Sequence, residues 1–430
     1  MLPEQYCHNN EIETWLLRMG DSCLDPSLLR AKRDYSVKLL KRLIAIPSSN
    51  PHISNGDEKE IARFLRAELK DAGLEVSLQS ITSDYPELGL HGKKTFTRQN
   101  VVAKVGNPNG TRLILNGHMD TVSGTNMKHP FEPRVSGDRL YGRGSSDMKG
   151  GVAAIVAAAE AIRESSRPLN GELVISLVVD EETLGQGTKG FLSAESGDFA
   201  IIAEPTDNTL GQAQAGYLDF NLAFRGESRH GQTTLPRKWA NAFLQAANIC
   251  DEITDDRRII RSQTLMGVKM ETTFNVSPVR PTVHPSLAWM TVEEFTVNCL
   301  LGLVPGRTVE ASEQFAKKTL NRIKRHVEDG NRKGGRGRVS RAMWDIGFVQ
   351  SENRCLKRFE RAMTKALGNS RRSYVQSFCD ATHFYRAEIP TILFGPGRME
   401  LGHSDKEYTS IRQVKDATSV LAYAIENILG

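Results

Sequence analysis

The chain has 430 residues, 39% hydrophobic and 25% charged, with 36 Gly and 17 Pro. That length exceeds one ordinary core and that apolar content excludes a natively unfolded chain, so two or three folded domains are expected. Fifty-six Lys and Arg against 51 Asp and Glu leave a net charge of +5, well short of a dedicated nucleic-acid binder.

The amino terminus, MLPEQYCHNNEIE, has no positive cluster leading into an apolar stretch and no small-residue cleavage site, so no secretory signal is expected. The longest apolar run, at 152–159, is far below the roughly 20 residues that cross a bilayer. Neither a membrane nor a nucleic acid is therefore expected as a partner. Cys7, Cys23, Cys250, Cys299, Cys355 and Cys379 form no CxxC pair and no regular spacing, which suits reduced thiols in a cytoplasmic protein.

Residues 1–32 carry helical fragments such as EIETWLLRM and read as an appended extension whose role is not legible. From Asp34, YSVKLLKRLIAIPS has helical apolar spacing and stops at a proline, and EKEIARFLRAELKDAGLEV gives a second helix running into a strand. Short apolar runs follow at NVVAKV, RLILNG, ELVISLVV, FAIIAE and PTILFG, separated by helices such as KGGVAAIVAAAEAIRES. This pattern predicts buried strands of an α/β sheet with helices on both faces.

The middle third differs. From Gly216, YLDFNLAFRG alternates as a strand, KWANAFLQAANICDEI is helical, and METTFNVSP, WMTVEEFTVNCLLGL and a helix from Val309 to about Val327 follow. That order predicts a small inserted α+β domain. GNRKGGRGRVSR, residues 330–341, reads as a linker returning to the larger domain, since it lacks the interleaved aromatics of an RNA-binding segment.

Acidic residues and histidines stand where the predicted strands end, at the rim where α/β sheets gather ligands. RLILNG ends in His118-Met119-Asp120, ELVISLVV in Asp180-Glu181-Glu182 and FAIIA in Glu204, while GRGSSDMKGG puts Asp147 just before a helix. Singly these read as a capped loop, a helix N-cap or a solvated turn. Together they place uncompensated carboxylates at one edge, where repulsion calls for a cation. Two His and three carboxylates with a shared oxygen donor suit two zinc ions.

LNGHMDTV, YGRGSSDMKGG, VVDEET, AEPTD and GPGRMELGHSDKEY resemble, in order, five signature segments of the di-zinc family of acetylornithine deacetylase, succinyl-diaminopimelate desuccinylase, aminoacylase and glutamate carboxypeptidase. The resemblance runs from about Tyr35 to the end. It implies a zinc-peptidase-like α/β/α sandwich catalytic domain, residues 33–213 and 337–430, with an inserted α+β, ferredoxin-like lid and dimerisation domain at 214–336. It also implies two Zn²⁺, with Co²⁺ or Mn²⁺ as possible substitutes. His118 and Glu204 would hold one ion, Glu182 and His403 the other, and Asp147 would bridge them. Asp120, two residues beyond His118, would accept the imidazole's other N–H and fix its tautomer. Glu181 would be the general base. A cis peptide is implied at Asp147–Met148.

By the same resemblance His230, in GESRHGQ, would reach across a homodimer formed through the inserted domain and stabilise the oxyanion. Relatives carry an Asn and an Arg that grip a substrate carboxylate; here those positions hold Trp289 and Gly302. Either Arg280 or Arg307 replaces the arginine, or the substrate lacks a free α-carboxylate. His383, near Asp380, is expected to support or pack, and His129, His284 and His326 to be surface residues.

The expected activity is amide hydrolysis by activated water on a small N-acyl substrate, with deacylation of an N-acylated amino acid or amine first. A dipeptidase or carboxypeptidase is the alternative within the family. A non-catalytic binding subunit on the same fold is the alternative from another class; loss of metal ligands would mark it, and none is missing.

Overall fold

A computed structural model describes residues 24–54, 56–83, 96–124, 126–165, 168–227, 239, 241–265, 267–279 and 293–430. Two compact units emerge, one formed by the chain up to Leu210 with Glu352–Arg371 and Ile389–Gly430, the other by Gly211–Ser351 with Arg372–Glu388.

The larger unit is built on a mixed sheet ordered Glu75–Ser83, Phe96–Gly106, Glu172–Val178, Arg112–His118, Phe199–Ile202 and Thr391–Leu393. The last four of these run parallel, and the first two pair antiparallel at one edge. Strand Glu172–Val178 is buried at every residue, as a strand covered on both faces must be. Val101, Leu113, Leu115, Leu173, Ile175, Leu177, Phe199 and Ile201 point to one face and join a single core with helices Pro26–Ala45, Lys59–Asp71, Lys149–Glu164, Arg354–Leu367 and Ile411–Leu429. The alternate residues Ile114, Val174, Val178 and Ile202 are fully buried on the other face.

Helix Pro26–Ala45 starts inside the stretch expected as an appended arm. Asp25 accepts the N–H groups of Ser27 and Leu28, Pro26 needs no donor there, and Leu24 and Leu29 enter the core. Helix Lys149–Glu164 is buried on nearly all sides, which its run of small residues permits. A Cβ on Gly151 would fall 2.1 Å from the Ala203 carbonyl oxygen, so only glycine lets this helix close on the segment leading to Glu204.

The smaller unit follows the order strand, helix, strand, strand, helix, strand through Gly216–Arg225, Ala242–Asp255, Thr273–Val279, Glu294–Leu303, Val309–Arg332 and Gly337–Asp345. Its four-stranded antiparallel sheet has the second strand outermost, then the third, first and fourth, which is the ferredoxin-like arrangement. Residues 330–341, expected as a returning linker, instead end the long helix and open the fourth strand. Pairing of Gly337–Asp345 with Gly216–Arg225, and burial of Val327 against Phe224 in the same core, outweigh the loop-like composition.

Candidate metal centre

Four parallel strands of the larger unit end at the same sheet edge, and His118 closes the central one between Glu172–Val178 and Phe199–Ile202. This is the point where successive strands depart to opposite sides, the usual ligand crevice of such sheets. Just beyond the strand ends come Asp120, Asp180-Glu181-Glu182, Glu204 and, after Thr391–Leu393, the turn carrying His403. Asp147 stands at the start of helix Lys149–Glu164, and the Asp147–Met148 peptide is cis.

Two groups of possible metal donors form here and share Asp147. His118, Asp147 and Glu204 each offer an atom within 4.8 Å of the others, and so do Asp147, Glu182 and His403. His118 Nε2 lies 3.0 Å from Asp147 Oδ1, His403 Nε2 lies 3.4 Å from Asp147 Oδ2, and His403 Nε2 lies 2.9 Å from Glu182 Oε2. Glu181 falls outside both groups, with Oε2 3.9 Å from His118 Nε2. The donor set of two imidazoles and shared carboxylates fits divalent ions such as zinc, cobalt or manganese.

Asp120 departs from expectation. His118 Nδ1 meets the Asp120 backbone carbonyl at 2.9 Å, whereas the Asp120 carboxylate lies 3.7 Å away. A carbonyl only accepts, so Nδ1 carries the proton and Nε2 faces Asp147. The carboxylate is drawn to other donors: the N–H groups of Glu181 and Glu182 at 3.2 Å each and Asn50 Nδ2 at 2.8 Å.

The field of the site favours cations. Burial alone would push the His118 imidazole down, but its bond to Asp147 and the charges of Glu181, Glu204 and Asp147 hold it well above its ordinary range. Hydrogen bonds that it donates to the Asp147 and Glu182 carboxylates raise His403 to about 10. Burial and the neighbouring Asp147 charge raise Glu182.

The roles of several supporting residues were not read from the sequence. Arg98 pairs with Glu58 at 2.8 Å and with Asp180, all three buried, and Asp180 holds a positive φ of 75° at the head of the Glu181-Glu182 turn. Glu407 and Arg143 brace the Asp147 loop. Long-range pairing of this kind leaves no spacing to read, although a lone arginine in a strand otherwise due for burial, as in FTRQNVVAKV, is a hint.

His230, Trp289, Arg280 and His284 lie outside the described residues. Gly302 sits between Thr273 and Tyr217 in the smaller unit's sheet, and Arg307 is exposed. His383 is buried with Nε2 3.7 Å from Asp380 Oδ1. His129 pairs with Glu132 at the surface, and His326 lies 3.0 Å from Asp256. Among the described residues, no helix is long and apolar enough to cross a membrane.

Comparison with known proteins gives one family and several distant relatives. The profile described as peptidase family M20/M25/M40 matches residues 114–427. Acetylornithine deacetylase of Proteus mirabilis is 26% identical over 408 residues, covering 91% of this chain and 96% of that protein. Peptidase M20 domain-containing protein C757.05c of Schizosaccharomyces pombe is 32% identical over 200 residues, 46% of this chain; that match spans only 45% of the relative's own length. The solved structure of the di-peptidase Dug1p from Saccharomyces cerevisiae superposes with a TM-score of 0.72 at 13% identity, covering 95% and 99% of the two chains, and shows the shared fold.

Proposed function

This chain belongs to peptidase family M20/M25/M40, hydrolases of amide bonds, and from that premise we propose that it is a di-metal N-acyl amino acid or N-acyl amine deacylase. The observation carrying the reading is the pair of donor groups that share Asp147. The similarity to acetylornithine deacetylase along almost the whole of both chains favours deacylation over peptide cleavage.

His118 and Glu204 would hold one ion, Glu182 and His403 the other, with Asp147 between them. Divalent ions so held, zinc first, supply Lewis acidity toward the acyl oxygen and toward water. Glu181 lies beside the donors without belonging to either group, and as general base it takes the proton of the attacking water and returns it to the leaving nitrogen. The Asp120 carbonyl keeps the His118 tautomer, and the Asp120 carboxylate fixes the backbone of the Glu181-Glu182 turn. His230, contributed by the second subunit of a homodimer joined through the inserted domain (214–336), stabilises the oxyanion. A cytoplasmic location accompanies this reading.

Peptide cleavage is the second reading, supported by the family's description and by the di-peptidase with the same fold. Purified protein assayed on N-acetyl and N-succinyl amino acids and on dipeptides separates the two. Deacylase activity lost to a chelator and restored by Zn²⁺ is expected. Turnover of dipeptides alone would transfer the assignment to the second reading, and metal uptake without any hydrolysis would leave a binding protein.

A further inference from the structure

Glu407 is fully buried, and its carboxylate collects donors from a distant stretch of chain. Oε2 accepts from Arg143 Nη1 at 2.8 Å and from the Gly144 N–H at 2.9 Å, while Oε1 accepts from the Ser146 N–H at 2.9 Å and the Asp147 N–H at 3.1 Å. Gly144, with φ of +82°, turns the backbone so that these amides converge. Such a concave set of amides is an anion nest, and here the chain's own carboxylate fills it. Hydrogen bonds to an ionised acceptor in a buried setting are the strong kind.

The contacts join two loops. Glu407 follows His403 by one turn of chain and leads into strand Tyr408–Ser410, which pairs with Arg139–Tyr141 ahead of the Asp147 loop. At the other end Ser146 Oγ donates to the Arg398 carbonyl at 3.0 Å and accepts the Arg398 N–H at 2.9 Å. Residues 143–147, which present Asp147, are thus fastened on both sides to residues 398–407, which present His403. Neither Glu407 nor Arg143 belongs to the two donor groups.

We propose that Glu407, backed by Arg143, is a positioning residue that locks the Asp147 and His403 loops in register, so that both donor groups stand preformed before a cation arrives. The inference rests on the metal-dependent reading above and adds to it a residue that meets neither substrate nor ion. A simple structural brace would be felt in the melting of the metal-free protein; a positioning residue is felt in metal affinity and in the geometry around the ion.

The full-length Glu407→Gln protein tests this, since the amide keeps the side-chain shape but loses the charge and turns N–H against N–H. Metal-free wild type and variant are melted to show that both are folded, then titrated with Zn²⁺ against a chromophoric chelator and loaded with Co²⁺ for its visible absorption spectrum. The expected result is Zn²⁺ binding weakened about 10–100-fold with an altered Co²⁺ spectrum, while Glu400→Gln, an exposed carboxylate of the same loop, changes neither. Wild-type affinity and spectrum in a folded Glu407→Gln protein overturn the proposal. Should that variant fail to fold, Arg143→Gln is titrated in its place: weakened binding supports the proposal and unchanged binding overturns it. A wild-type protein that takes up no divalent ion would overturn the metal reading as a whole, a result distinct from loss of the lock alone.

Discussion

His403 reaches Glu182 through Nε2 at 2.9 Å from Oε2, and yet its side chain is 57% exposed, whereas His118 in the other donor group is 1% exposed. The two groups therefore differ in access to solvent although they share Asp147. Stripping metal from the loaded protein with a chelator is expected to proceed in two phases, the faster one from the Glu182 and His403 group. Metal analysis against time checks this, and a single phase releasing both ions would contradict it.

Glu181→Gln is expected to retain two equivalents of metal and to lose about 10²–10⁴-fold in kcat. The residue stands 3.9 Å from His118 Nε2 and outside both donor groups, so its loss should cost proton transfer and not metal. Metal content and steady-state kinetics are measured on the same preparation. Retained activity would remove Glu181 from the mechanism.

If His230 serves the partner's site, Glu181→Gln and His230→Ala are each inactive alone but complement when mixed. Random exchange of subunits makes half the dimers hybrid with one intact site, so about a quarter of wild-type activity is expected to return. Mixing under subunit-exchange conditions followed by assay gives the answer. No recovery, with exchange verified, would place His230 in its own subunit's chemistry or in none.

Lys149 gives a pH signature. Its Nζ donates to the carbonyls of Leu43 at 2.9 Å and Ile46 at 2.8 Å, and burial lowers it to about 7 from an ordinary 10.5. Between these values the unfolded chain binds a proton that the folded chain does not, so stability rises with pH across this window, by up to about tenfold per pH unit in the unfolding constant. Below about pH 7 both states are protonated and the contribution is flat. Lys149→Met should be less stable, because the carbonyls of Leu43 and Ile46 lose their shared donor, and should lose that slope. Denaturant unfolding of metal-free protein from pH 7 to 10 measures it; an equal slope in both proteins would contradict the assignment.

Much of the site was legible because its donors stand at strand ends. His118, Glu182 and Glu204 follow apolar runs, Asp147 precedes a helix, and the parallel pairing of those strands brings them to one edge. The strand, helix, strand, strand, helix order of the smaller unit was legible from its alternation and helical spacing, while its ferredoxin-like character was implied by the family resemblance alone. The start of helix Pro26–Ala45 was missed although Asp25-Pro26 is a readable N-cap signal, because the apolar periodicity strengthens only after Asp34. Residues 330–341 misled because Gly and Arg describe a loop in composition, while cross-strand partners decide. The roles of Asn50, Arg98, Arg143 and Glu407 were not legible for a related reason: each is polar, buried and satisfied by residues far away in sequence, and only the folded chain supplies the partner.

The order of the donors along the chain has a consequence for biosynthesis. His118, Asp147, Glu182 and Glu204 all precede Gly211, where the smaller unit begins, and His403 follows its end. A ribosome must therefore translate the whole excursion before the last donor exists. A nascent chain could hold an ion at one group early, but the second group would be finished only after the smaller unit has been made, so full loading would follow synthesis of that unit.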